Sequence, residues 1–286
     1  MGEFVFALLA AASNAVSVTT RHRASVVGAQ GVSGWRLALT LFRSPLWLMG
    51  WMAQIAAFVF QAVALHYGEM SVVQPLLVTE LVIALVLRRV WLRERVAHAA
   101  WGGAGLACVG LAVFVAVAEP QGGNPAPTAG HWVGAITACA AVTIVLFMLG
   151  QRGSPARRAG LLAAAAGVTW ALEATFIKTT TDTVTQFGVA GLFTRWPVYA
   201  LAVGGAAGVL LEQVALQAGP LRVSQPMLVI IDPITSIALS VWLFGEHFVM
   251  DAPVLALASV AFCVMCAGVV LLTQAAPAPA VASPGP

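Results

Sequence analysis

Nine stretches of this chain, each close to 20 residues long, are almost wholly apolar, and they dictate what it can fold into. A helix crossing the hydrocarbon core of a bilayer needs about 20 such residues at a rise of 1.5 Å each. The stretches cover residues 4–20, 46–65, 70–87, 97–118, 132–149, 159–177, 196–216, 223–244 and 252–272. Charge is scarce: 286 residues contain 14 basic and 11 acidic ones, 9% charged against 60% hydrophobic, where a soluble domain carries about 25% charge. With a mean hydropathy of +0.92, most of the outside must face lipid. The chain is therefore read as an all-α integral membrane protein with membrane lipid as its first partner.

The arginines lie in short runs between the apolar stretches, which is a topology signal and not a nucleic-acid footprint. With the N-terminus outside, the inner loops hold Arg21, Arg23, Arg36, Arg43, Arg88, Arg89, Arg93, Arg95, Arg152, Arg157, Arg158 and Arg222. The outer side keeps Glu3, Glu69, Glu119, Asp182, Glu246 and Asp251, with Lys178 and Arg195. Nine spans then leave the C-terminus in the cytoplasm of a cell whose plasma membrane holds the protein. The segment from Ser25 to Phe42 would make a tenth span, but Gln30 and Arg36 interrupt it, and an interfacial amphipathic helix is expected there. Residues 1–15 lack the basic leader of a signal peptide and are read as part of a retained first span, whereas the Ala/Pro-rich residues 274–286 are expected to be disordered. Cys108, Cys139, Cys263 and Cys266 all fall in apolar stretches and are read as packing residues.

The chain repeats itself. Shifted by 151 residues, Ala64–Leu92 falls on Ala215–Leu243 with twelve of 29 positions identical, among them Gly68 with Gly219, Gln74 with Gln225, Pro75 with Pro226 and Trp91 with Trp242. A one-residue slip then places Glu94 on Glu246, Arg43 on Arg195 and Pro45 on Pro197. Each copy holds four spans (1–120 and 155–273), and the unmatched span within 121–154 joins them and inverts the second copy. An inverted repeat of this kind serves alternating access, in which a site between the halves opens first to one face and then to the other.

Four carboxylates interrupt the spans. Ionised groups in hydrocarbon are costly and normally face a cavity, a partner or a proton path. Glu80 and Asp232 each lie about 14 Å into their spans, near the bilayer midplane, at nearly equivalent places in the two copies. Glu80 follows Gln74-Pro75; Asp232 follows Gln225-Pro226 and precedes Pro233, whose ring must free the carbonyl of Val229 and is expected to distort the helix. Glu173 and Glu212 are placed nearer span ends, within reach of water. Gln61 is the repeat mate of Glu212, and with Gln54 and Gln213 it adds polar groups to the matched second and seventh spans. Asn14 either donates to this path or ties helices together. Arg43 and Arg195 read as snorkelling anchors, and Gly103-x-x-x-Ala107 and Gly204-x-x-x-Gly208 as close helix contacts.

His22, His66, His98, His131 and His247 all sit at or near span ends, so haem ligation at mid-depth is not expected, and no cofactor is called for. The chain has no G-x-x-x-x-G-K-[ST] and no paired nucleophile and base at membrane depth, so neither an ATP-driven motor nor an enzyme is expected.

The stretch A-L-H-Y-G-E-M-S-V-V-Q-P-L-L-V with the following R-V-W-L-R-E-R-V, and the second copy A-L-Q-A-G-P-L-R-V-S-Q-P-M-L-V-I-I-D-P ending in L-F-G-E, resemble the EamA-like drug/metabolite transporter superfamily over nearly the whole chain. The nine-span count resembles its NIPA-type magnesium transporter branch, which Pro45-Leu46-Trp47 and Val73-Gln74-Pro75-Leu76 match. Ala57-Phe58 stand where that branch carries Gly-Glu, and Gln61 where it carries Asn. The resemblance implies a gradient-driven transporter of a small solute. Two cargoes follow from it: an organic solute stacking on Trp47, Trp51, Phe58 and Phe60, or magnesium with Glu80 and Asp232 as its ligands. Gln61, Gln74, Gln225 and Glu212, with Pro75, Pro226 and Pro233, would line the route, joined by Glu173, Gln54 and Asn14. A membrane assembly or lipid-handling protein without transport is the competing class, and self-association as a homo-oligomer is left open.

Overall fold

A computed structural model describes residues 2–28, 44–91, 93, 96–118, 120–121, 127–248 and 251–275. Among the described residues ten helices make up the bundle: α1 (Gly2–Gly28), α2 (Pro45–Tyr67), α3 (Met70–Leu77), α4 (Thr79–Val90), α5 (His98–Val117), α6 (Ala129–Leu149), α7 (Pro155–Thr194), α8 (Pro197–Ala218), α9 (Leu221–Phe244) and α10 (Ala252–Ala275). With α3 and α4 taken together, nine segments among the described residues are long and apolar enough to cross a membrane. Large apolar side chains cover the outside, including Met52, Ile144, Val203, Leu210 and Val260, each more than half exposed. A surface of that kind is stable only against lipid. The protein is an integral membrane protein.

Local chemistry sets the helix ends. Pro45, Pro155 and Pro197 open their helices where a missing N–H costs nothing, and Ser154 and Thr128 accept from Arg157 N and His131 N at the starts of α7 and α6. Gly245 adopts the left-handed conformation (φ 67°) that lets Glu246 N–H reach back to Ser240 O at 3.2 Å.

Three features depart from the sequence reading. The break expected at Pro233 lies instead at Val78: α3 ends there and α4 begins, while α9 runs unbroken through both Pro226 and Pro233. Pro75 sits inside α3 and supplies no N–H; the chain tightens so that Val78 N–H bonds Pro75 O, and the Thr79 hydroxyl occupies Leu76 O at 2.7 Å. Around Pro233 the neighbouring helix α7 presses close at Gly167, and a helix so buttressed tolerates one missing bond. The second departure is α7, which continues past Ile177 to Thr194 with a kink at Gly188 (φ 68°), a conformation only glycine adopts easily. Its 40 residues span about 60 Å if straight, twice the hydrocarbon thickness. The third is a short antiparallel pairing of Pro120–Gln121 (β1) with His247–Phe248 (β2). The expected interfacial helix from Ser25 to Phe42 lies outside the described residues beyond Gly28, as do Arg36, Arg43, Glu94, Glu119 and residues 276–286; Gln274 and Ala275 belong to α10 and not to the tail.

Neighbours recur in the two halves. α1 packs along α2 and α4 as α7 packs along α8 and α9. α5 and α10 cross in antiparallel contact, where a Cβ at Gly103, Gly110 or Gly268 would collide with the backbone of Leu272, Met265 or Ala107. Gly204 and Gly208 lie against the rings of Phe176 and Trp170. One end of the bundle gathers Glu69, Lys178, Asp182 and Glu246, which touch one another or each other's helices; the opposite end carries Arg23 over Trp91 and the turn joining α8 to α9 against Pro155. We call these the acidic and the basic end. Beneath the acidic end Trp132 packs against Phe176, Trp196 and Phe244.

Candidate functional site

Between the ends, helices α1, α4, α7, α8 and α9 bring four acids and one arginine into a connected series. Glu80 opens α4 just past the break, and Asn14 of α1 donates its amide N–H to Glu80 Oε2. Asp232 of α9 accepts from Ser236 Oγ at 3.1 Å. The two carboxylates are close enough for their charges to interact. Glu80 feels Glu212 of α8 in the same way, Glu212 feels Arg21 of α1, and Glu173 of α7 feels Asp232. The series therefore runs Arg21, Glu212, Glu80, Asp232, Glu173 across both halves of the chain.

Each member has its own support. Trp170 Nε1 donates to Glu212 Oε2 at 3.1 Å. Arg21 donates from Nη2 to Gln54 Oε1 at 2.8 Å and stacks over Trp51 at 5.3 Å, and Ser17 Oγ donates to the same Gln54 oxygen at 3.1 Å. Glu80, Asp232, Glu212, Asn14, Gln54 and Gln61 are half-buried although they lie inside the span lengths. Glu173 differs: it is 8% exposed, its Oε2 has no hydrogen-bond partner among the described residues, and a Cβ at Gly205 would stand 2.8 Å from its Oε1. Glu173, expected nearer a span end, is buried in α7, whose added length lies beyond Ile177. Glu212, expected likewise, is half-buried and accepts from Trp170.

The glutamines divide. Gln74 is buried at 3% exposure, and its Nε2 has no partner among the described residues, whereas its repeat mate Gln225 is exposed, as is Gln213. Pro75, Pro226 and Pro233 are buried in their helices. Of the aromatic residues, Trp47 and Trp51 meet edge to face at 5.7 Å, Phe60 lies tilted against Phe6 at 6.3 Å, and Phe58 is exposed. No three His, Cys, Asp or Glu side chains among the described residues are gathered as a metal cage.

A second constellation closes the acidic end, and sequence reasoning missed it. Glu246 is 1% exposed and accepts from Met70 N at 2.9 Å and Ser71 N at 3.1 Å, the first amides of α3. Lys178 Nζ stands 3.8 Å from Glu246 Oε1, 4.0 Å from Glu69 Oε2, 3.2 Å from Gly68 O and 5.4 Å from the Phe244 ring centre. Burial first, then the hydrogen bond and charge of Glu246, push the Glu69 carboxyl up to about 7, against the pull of Lys178. Burial acts on Glu246 in the same upward direction, yet the hydrogen bonds from Glu69, Ser71 and Met70 and the charge of Lys178 prevail and hold it below the ordinary carboxylate range. The signal in the sequence was the Gly-Glu closing L-F-G-E and a lone lysine; their meeting depends on α7 extending beyond its apolar stretch, which hydropathy does not reveal.

No family model matches the chain, and no solved structure matches it. An uncharacterized protein of Corynebacterium glutamicum is 27% identical over 278 residues, which cover 96% of each chain. The likeness extends over nearly the full length of both chains.

Proposed function

We propose that this chain is a gradient-driven transporter that moves a small solute by alternating access, as its resemblance to EamA-like drug/metabolite transporters implies. The observation that carries the reading is the interaction of Glu80 with Asp232, one from each copy of the repeat, at half-buried positions between the spans. Four carboxylates against one arginine make that space a host for positive charge: a cationic group of an organic solute, a metal cation, or coupling protons. The recurrence of helix neighbours in the two halves and the antiparallel crossing of α5 and α10 support an inverted repeat. The concentration of arginines at one end supports a cytoplasmic basic end, with the N-terminus outside a plasma membrane.

An organic cation is the first cargo, because Trp47 and Trp51 supply stacking surface beside Arg21 and Gln54. Magnesium is the second. It is bound through one or two carboxylates while keeping several waters, so Glu80 and Asp232 suffice without a full cage. Purified protein in proteoliposomes, with trapped indicators for magnesium and for a fluorescent organic cation, tests both beside Glu80→Gln and Asp232→Asn. Flux of either probe that falls at least about tenfold in both variants supports the reading and names the cargo class. Flux unchanged in both variants removes the acids from the mechanism. No flux with folded, inserted protein favours an assembly or lipid-handling role.

A further inference from the structure

We propose that Glu69 and Glu246 form a proton-binding carboxyl pair that, with Lys178, latches the acidic end of the bundle: one proton held between them closes it, and release of that proton to water on that side opens it. The inference rests on the transport reading only for what the opening serves; the latch itself stands on its own geometry.

Glu246 arrives from the link after α9 and sits on the first turn of α3, joining the second half of the chain to the first. Two backbone amides at a positive helix end, and an ammonium at 3.8 Å, favour its ionised form. Glu69 immediately precedes that turn, and its carboxyl converges with that of Glu246 on one ammonium, Lys178 Nζ standing 4.0 Å from Glu69 Oε2 and 3.8 Å from Glu246 Oε1. Two carboxyls can share a hydrogen bond only if one carries a proton, and Glu69, the more exposed, is the one that exchanges it with water. With the proton in place, Lys178 balances Glu246. Without it, two carboxylates face one ammonium beside the Phe244 ring, and the surplus negative charge pushes Glu69 and the start of α3 away from Glu246.

The other acids at this end have their own surroundings: Glu3 of α1 lies against Gly68, and Asp182, one turn beyond Lys178 on α7, pairs with His66 of α2 at 3.2 Å. The His247 ring turns toward Gly245 O and not toward the pair. The latch also has a lever: α3 is separated from α4 by the break at Val78, and α4 begins at Thr79 with Glu80 as its second residue. Release of the first turn of α3 thus bears on the helix pair that carries the midplane acid.

The direction follows from the raised Glu69 carboxyl. The contribution of its proton to closure is complete below the ordinary glutamate range and is lost as pH rises through about 7. Hydrogen-exchange mass spectrometry on the full chain in lipid nanodiscs reads this at the Met70 and Ser71 amides, once rates are corrected for the chemical pH dependence of exchange. In the wild type, protection at these two amides should fall by up to about tenfold per pH unit above about 7. In Glu69→Gln the side-chain amide donates to Glu246 without titrating, and protection should stay level with pH. Wild-type protection that does not change with pH overturns the proposal, as does a Glu69→Gln profile that follows the wild type. Should the variant misfold, as exchange in α5 and α10 would reveal, the wild-type series alone decides. Probe flux measured in parallel separates the two ideas: flux without a titrating latch leaves transport standing, and a titrating latch without flux removes transport alone.

Discussion

At the scale of single residues, the arrangement turns on carboxylates whose partners differ in kind. Glu80 is held by one amide, Asp232 by one hydroxyl and Glu212 by an indole N–H, while Glu173 is buried beside Gly205. Asn14→Leu leaves Glu80 in place without its donor, a loss of about 1–3 kcal/mol for an interior hydrogen bond to a charged group. We expect weaker binding of the transported probe, read as an increase of roughly tenfold or more in the concentration giving half-maximal flux. Ser236→Ala removes the partner of Asp232 and should act in the same direction. Both acids were legible in the sequence because charge inside an apolar run is conspicuous. Arg21 was not, since a basic residue at the end of an apolar run ordinarily marks a loop; only the packing of α1 on α2 turns it toward Gln54, Trp51 and Glu212. The Thr79 hydroxyl, an obvious partner for Glu80 in sequence, bonds the Leu76 carbonyl freed by the break.

At the scale of elements, helix count and approximate limits were readable and interruptions were not. Hydropathy reports where a helix can lie in lipid, but the position of a break depends on which neighbour supports the freed carbonyl, and that is a tertiary fact. Hence two prolines in α9 leave it whole while Pro75 precedes the break at Val78. Pro75→Ala restores an N–H to α3, and we expect α3 and α4 to fuse, with slower amide exchange at Val78 and Thr79 and reduced probe flux. The α5–α10 crossing allows a sharper test. A side chain at Gly268 meets the backbone of Ala107, which cannot rotate away, whereas one at Gly102 meets open space. Gly268→Leu should cost about 1–3 kcal/mol or more in stability, measured by denaturation in mixed micelles, and Gly102→Ala should cost little. The spacing Gly103-x-x-x-Ala107 announced a close contact in the sequence, although not the identity of the helix that fills it.

At the scale of the whole molecule, the charges divide by end, and the acids of the acidic end are joined across the halves by Glu246 on α3, by Lys178 on Gly68 and by the β1–β2 pairing. All three ties lie at one end, so this conformation is shut there. A topology with the basic end in the cytoplasm is expected to place a C-terminal tag beyond reach of impermeant reagents in intact cells. A duplication is expected from twelve identities in 29 positions, and the two matched stretches differ in the structure: Gln74 is buried while Gln225 is exposed, and the span of Gln74 is broken where that of Gln225 is whole.

The chain contains a single lysine, and its ammonium is buried to 13% exposure between a backbone carbonyl and two carboxyls. An amine-directed acylating reagent applied from the acidic side therefore has one side chain to find, and can find it only when that end parts. The yield of acylated peptide around residue 178 would count openings directly, without an engineered label and before the cargo is known.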